Sequence, residues 1–274
     1  MALFVRLCDD WGSPVNSFQK SFFRNLVALV IAGTVWGRLA RGRTLDVRRE
    51  TGAVLSLRSK VLLALRAVLG TVGIFSNFYA LSHITIAEGQ TLNKTAPFFT
   101  VLFTWLFLGE KATRRQVLPL LLAFVGVVLI AKPGFAGAAA FPLLIGLLSG
   151  VCAGGAYACV RALRRHELSP AFIILFFSAF SCLASVPFMV HRFDPMTVGQ
   201  IVVLLGAGVG AALGQFGITL AYGYAAPKDI AVFDYSGILF ASAFGFLFFG
   251  QVPDLLSVAG FVAIILAAFA LARR

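Results

Sequence analysis

The chain has 274 residues, a net charge of +12, 59% hydrophobic and 12% charged side chains, and a mean hydropathy of +0.92. An ordinary soluble domain carries about a quarter charged residues, so this composition excludes a water-soluble globular protein and predicts a polytopic, all-α membrane protein with the lipid bilayer as its main partner. The basic residues fall in short loops between apolar stretches, which is how membrane orientation is encoded, and no nucleic-acid partner is expected.

Crossing about 30 Å of hydrocarbon takes about 20 apolar residues. The chain opens on MALFVRLCDDWGSP, which is too short to cross and lacks the basic start, apolar region and cleavage site of a signal peptide. Nine windows of spanning length follow, at 17–37, 61–82, 84–109, 116–132, 141–161, 170–190, 200–224, 229–250 and 255–272. The third is interrupted by AEGQTLNKTAPFF at 87–99, which places Glu88, Gln90, Asn93, Lys94 and Pro97 inside a span. Lys94 lies ten residues into that window, roughly 15 Å at 1.5 Å per residue and so near the midplane. Pro97 removes a backbone hydrogen bond there and loosens the helix. Further on, Gly146, Gly150 and Gly154 recur every fourth residue, as do Gly206, Gly210 and Gly214. Two glycine stripes of this kind predict close helix contacts. Cys8, Cys152, Cys159 and Cys182 have no metal-ligand spacing and read as small buried hydrophobes, so neither a metal site nor another cofactor is expected.

The chain also resembles itself. An offset of 141 residues aligns Gly73 with Gly214, Phe75 with Phe216, Ala80 with Ala221, Phe99 with Phe240, Phe107 with Phe248 and Gly109 with Gly250. Upstream the offset becomes 156, with Ser13-Pro14 on Ser169-Pro170, because the first half has a longer basic loop at 38–60. These alignments predict two repeats, 1–137 and 138–274. MALFVRL then matches YACVRAL, the end of a helix, so about fifteen residues of a first helix are expected upstream, which gives ten helices of spanning length. Five helices per repeat put the repeats in opposite orientations. Sixteen Lys and Arg then lie on one side (seven in 38–60, three in 111–115, three in 161–165, Lys228, Arg273 and Arg274) and five on the other. That bias predicts cytoplasmic termini in an inner, or cytoplasmic, membrane.

With these features in place, the sequence resembles the EamA-type members of the drug/metabolite transporter superfamily. The resemblance is carried by Phe22, Phe23, Arg24 and Asn25, by Leu108-Gly109-Glu110, and by Thr113, Gln116 and Gly126. It departs at Gln251, where an acid is expected from Glu110, and at Ile238, the counterpart of Pro97. The resemblance implies a secondary transporter for a small polar or amphipathic metabolite. Alternating access of the two repeats around a midplane site would move it, with a proton or counter-substrate as coupling species and a homodimer as one form of assembly.

A charge at the bilayer centre costs at least about 2.5–3.5 kcal/mol, so such residues face a cavity or a partner. The repeat offset sets Asn93 opposite Asp234, which brings Lys94 and Asp234 to similar depth from different repeats. Lys94, Asp234, Asn93, Gln90, Tyr235 and Gln215 are therefore the expected substrate-binding residues. A plain structural ion pair between Lys94 and Asp234 is the competing reading. Arg66, close to a helix end, is expected to snorkel; Arg24 reads equally as a gate or a headgroup anchor. His83, His166 and His191 lie at helix ends, and no HExxH, GxSxG or Walker motif occurs. An intramembrane enzyme and a non-transporting assembly partner remain as alternatives.

Overall fold

The structure is a computed structural model and describes residues 4, 8, 11, 12, 15–42, 55–83, 92–131, 140–237, 240, 243, 247 and 254–272. Every long element among these residues is a helix: α1 (Ser17–Gly42), α2 (Leu57–His83), α3 (Ala96–Leu108), α4 (Arg114–Ala131), α5 (Ala140–Arg165), α6 (Pro170–His191), α7 (Val198–Tyr224), α8 (Pro227–Asp234) and α9 (Leu255–Ala272). Five of them, α1, α2, α5, α6 and α7, are long and apolar enough to cross a membrane.

The helix starts are written locally. Ser56 accepts from the Ser59 amide, and Ser169 accepts from the Phe172 amide ahead of Pro170. Thr113 and Thr197 each open a helix as part of a Thr-x-x-Gln box, in which the Gln116 or Gln200 side chain accepts from the threonine amide at 2.8 and 3.0 Å. Each box satisfies amides that the first helical turn leaves open. At the other end of α3, Gly109 takes φ +69°, and its amide returns to the Trp105 carbonyl. A side chain at Gly109 would meet no atom of the described residues, so the backbone angle calls for glycine there.

Helices α2 and α7 have 27 residues each, and both their starts (57 and 198) and their ends (83 and 224) stand 141 residues apart. The same spacing separates α4 from α9, at 114 and 255 and at 131 and 272. The windows at 84–109 and 229–250 differ from the expectation of continuous spans: α3 starts only at Ala96 and α8 stops at Asp234. Hydropathy averaged over a window does not register a break in the backbone.

By contact the chain divides into two compact units, Met1–Thr71 with Cys159–Tyr224, and Val72–Ala158 with Ala225–Arg274. Two of the three divisions fall within a helix, in α2 and in α5, and the third follows α7. In the first unit α1 packs on α6 and α7. Asn25, 1% exposed, donates to the Ser181 hydroxyl of α6 at 3.0 Å, a polar link of the sort that joins helices where the surroundings are apolar. Gln19 and Asp194 exchange two further bonds at the end of these helices. In the second unit α4 packs on α9, with Gly126 so close to Gly260 that an added Cβ would sit 2.7 Å from its carbonyl oxygen. The outer face of α9 carries exposed Val258, Val262, Leu266 and Phe269, while Ile264 and Ala267 are buried. Apolar residues on both the inner and the outer face are what a helix between protein and lipid requires.

Candidate functional site

The candidate site grows from the glycines of α5, in the second unit. A Cβ on Gly146 would lie 2.7 Å from the Leu92 side chain, one on Gly150 would run into Thr95 Oγ1, and one on Gly154 would lie 2.5 Å from Phe99 Cβ. The predicted stripe therefore exists, and its partner is the polar segment that interrupts the third window. Its counterpart on α7 is only partial: an added Cβ on Gly206 would lie 3.3 Å from the Phe4 ring, one on Gly214 would meet no described atom within 4 Å, and the tighter approach occurs at Gly208, against Val27 of α1. Glycine spacing alone does not state which helix face meets a neighbour.

Held on α5, residues 92–95 form the lead-in to α3. Thr95 Oγ1 turns back to the Leu92 carbonyl at 2.6 Å, and Asn93 Nδ2 reaches the Ser149 hydroxyl at 3.3 Å. Pro97 stands in the first turn of α3, where a missing amide costs nothing. It marks the start of a helix here, in place of the expected loosening inside one. Lys94 and Thr95 form the turn between the two helical stretches.

Lys94 extends from this turn to the end of α8. Its ammonium donates to the Asp234 main-chain carbonyl at 3.0 Å and lies 3.6 Å from Asp234 Oδ1. The last carbonyls of a helix carry partial negative charge and lack helical partners, so a cation at this point stabilises the terminus. An acid there is disfavoured by the same field, which Lys94 offsets. The 3.6 Å separation is an ion pair but not a hydrogen bond. Among the described residues the Asp234 carboxylate thus accepts no hydrogen bond. The two side chains are 20% and 31% exposed, so neither is sealed in the core.

Tyr235, the next residue, is fully buried in an apolar cluster with Val101, Leu120, Val127, Val232 and Ile264. Among the described residues its hydroxyl has no hydrogen-bond partner. The structure thus brings Lys94 and Asp234 together, with Asn93 beside Lys94 and turned toward Ser149, while Tyr235 follows Asp234 in the chain with its ring in the apolar cluster. Gln90 lies outside the described residues, as do Glu88, Ile238 and Gln251. Gln215 belongs to the first unit, where its side-chain oxygen accepts from Arg66 Nη2 at 3.0 Å.

Arg66 overturns its expectation. It is 2% exposed and does not reach toward water; its guanidinium lies over the Phe177 ring at 4.0 Å and against Gly70. The Arg66-x-x-x-Gly70 spacing was the available sequence signal, because glycine one turn along leaves room for an arginine to lie on its own helix. All four cysteines are buried, as their apolar setting predicted.

Comparison with known proteins gives a consistent picture. The model of the EamA-like transporter family matches residues 4–132. The chain is 36% identical to the pseudopaline exporter CntI of Pseudomonas aeruginosa over 276 residues, covering 99% of this chain and 95% of that protein. It is 29% identical to an uncharacterized transporter of Helicobacter pylori, over 97% and 87% of the two chains, and 29% identical to the riboflavin transporter of Brucella anthropi, over 92% and 87%. A solved crystal structure with 17% sequence identity superposes with a TM-score of 0.74, over 95% of this chain and 90% of its own, and so shares the fold.

Proposed function

Because the chain belongs to the EamA-like transporter family and is a multi-pass membrane protein, we propose that it is a secondary transporter of a small polar or amphipathic metabolite in the cytoplasmic membrane. In this reading the two halves are inverted five-helix repeats, the C-terminus is cytoplasmic, and alternating access proceeds around the ends of α3 and α8. Lys94, Asp234, Asn93 and Tyr235 contact the cargo, together with Gln90. A proton or a counter-substrate supplies the driving force.

The observation that carries the reading is the ion pair at two interrupted helices. A pair serving only to hold helices together gains most when its carboxylate is fully hydrogen-bonded; here the ammonium bonds a main-chain carbonyl, and the carboxylate is left with a loose electrostatic contact. Interrupted helices that present backbone ends and unsatisfied side chains are how transporters of repeat design build their sites. Such a carboxylate can accept a donor from cargo or take up a proton.

The test compares two double variants in proteoliposomes across a panel of metabolite classes. Removing one charge alone leaves the other half-buried without its partner, where breaking a fully buried pair would cost about 3–5 kcal/mol, so Lys94→Met with Asp234→Asn is set against the swap Lys94→Asp with Asp234→Lys. Stable insertion with uptake lost in the neutral pair is the expected result. Wild-type uptake in the neutral pair would reduce both residues to scaffolding.

A further inference from the structure

Helix α8 packs beside α3, and a lysine joins the pair at each end. Lys94, two residues before α3, donates to the carbonyl of Asp234, the last residue of α8, at 3.0 Å. Lys228, the second residue of α8, donates to the carbonyl of Lys111 at 2.7 Å, just past the left-handed Gly109 that ends α3. The start of each helix therefore meets the end of the other, and the two run antiparallel. A cation at the start of a helix is disfavoured by that helix's own field, whereas at the end of a neighbouring helix it is favoured. Two lysines that are misplaced on their own helices thus become reciprocal clasps.

The clasps are not equivalent. That of Lys94 belongs to the half-buried site and includes the Asp234 carboxylate; that of Lys228 lies six residues away along α8, about 9 Å at 1.5 Å per residue, and is exposed. Beside it, Gln116 Nε2 donates to Asp229 Oδ1 at 2.8 Å, while the Gln116 oxygen closes the Thr113 box. Helix α8 has no side-chain cap of its own, since Ala226 precedes Pro227 in extended backbone. Its eight residues are too few to hold a helix unaided. The start of α8 is consequently fixed by what Lys228 and Asp229 grip on the turn between α3 and α4. Releasing that end exchanges bonds with water, which nets little, whereas releasing the other also separates an ion pair. The Lys228 end is the one that lets go first.

We propose that Lys228 and Asp229, seated on Lys111 and Gln116, form the gate between the side of the basic loops and the Lys94–Asp234 site, and that α8 opens it by pivoting on its Asp234 end. The proposal rests on the transporter reading and adds the contacts that must break for the site to meet the cytoplasm. A clasp with a purely structural role would stay closed throughout the cycle.

The test uses the full chain in inside-out and right-side-out membrane vesicles, with Ser236→Cys, two residues past Asp234, as reporter and an impermeant methanethiosulfonate as probe. Labelling from the face of the basic loops should be at least about tenfold faster when Lys228→Met and Asp229→Ala are added, the shift that loss of a charge-assisted bond gives. Lys228→Arg with Asp229→Asn, which keeps a donor and an acceptor, should label at the rate of the reporter alone. Unchanged labelling in Lys228→Met with Asp229→Ala, or labelling accelerated equally from both faces as in a loosened fold, would overturn the proposal. A second pair, Gln116→Cys with Asp229→Cys, carries the test if the first does not fold. Joining these cysteines with a short reducible bis-methanethiosulfonate should stop uptake across the metabolite panel, and reduction should restore it to the level before cross-linking. Uptake that continues through the cross-link would remove the gate and leave the transporter reading standing. Labelling that follows the gate in a protein that moves no metabolite would do the reverse.

Discussion

At the scale of single residues, glycines at similar spacing carry different constraints. Gly150 leaves no room for a methyl group, because Thr95 Oγ1 and the Leu92 carbonyl occupy that position, whereas a methyl group on Gly214 would meet no described atom within 4 Å. Overpacking a close contact costs about 1–3 kcal/mol. Gly150→Ala is therefore expected to lower the thermal stability of the purified protein by several degrees, and Gly214→Ala to leave it within error of wild type. A thermal shift series on the two variants decides it, and equal effects would mean that the α5 contact is looser than its geometry indicates. Asn25 gives a second case: its bond to Ser181 is buried. Interhelical polar bonds of this kind are worth about 0.6 kcal/mol on average and up to about 1.7, so Asn25→Leu should destabilise by an amount in that range, read from the same unfolding curves.

At the scale of elements, the long helices were legible in the sequence. Apolar windows foretold α1, α2, α4, α5, α6, α7 and α9, and the structure starts three of these at Thr113, Thr197 and Ser169. The breaks at Lys94 and Asp234 were legible only as misplaced polarity: a lysine, an asparagine and a proline in a span tell that something is unusual, but not that the helix stops. The contact between Lys94 and Asp234 followed from the repeat offset, since that offset pairs positions rather than hydropathies. The direction of Arg66 was legible only as the room that Gly70 leaves one turn along, because the groups it reaches, a phenylalanine of α6 and a glutamine of α7, lie far away in the chain. The capping boxes suggest a direct check. Gln116 both caps α4 and donates to Asp229 of α8 at 2.8 Å. Gln116→Ala should therefore destabilise by more than the roughly 0.5–2 kcal/mol of a cap alone, and Asp229→Asn should recover none of the loss when combined with it.

At the scale of the whole molecule, orientation is the property that the loop charges predict most directly. Cysteines introduced in 38–60 and 161–166 are expected to be shielded from an impermeant thiol reagent in intact cells, and one beside Pro195 to be labelled. Equal labelling from outside would refute the charge count. The four native cysteines are all buried, so the background of such an experiment should be low without first removing them.

The Tyr235 hydroxyl has a consequence for how evolution and engineering would treat this position. A buried hydroxyl without a partner costs about 1–3 kcal/mol, and phenylalanine would fill the same apolar cluster without that cost. Tyr235→Phe is thus expected to raise the thermal stability of the isolated protein while lowering its uptake rate, a trade in which resilience at rest is given up for a donor that only cargo or a passing water satisfies. Higher stability with undiminished uptake would mean that the hydroxyl is merely tolerated. Lower stability would mean that it already has a partner in the resting protein.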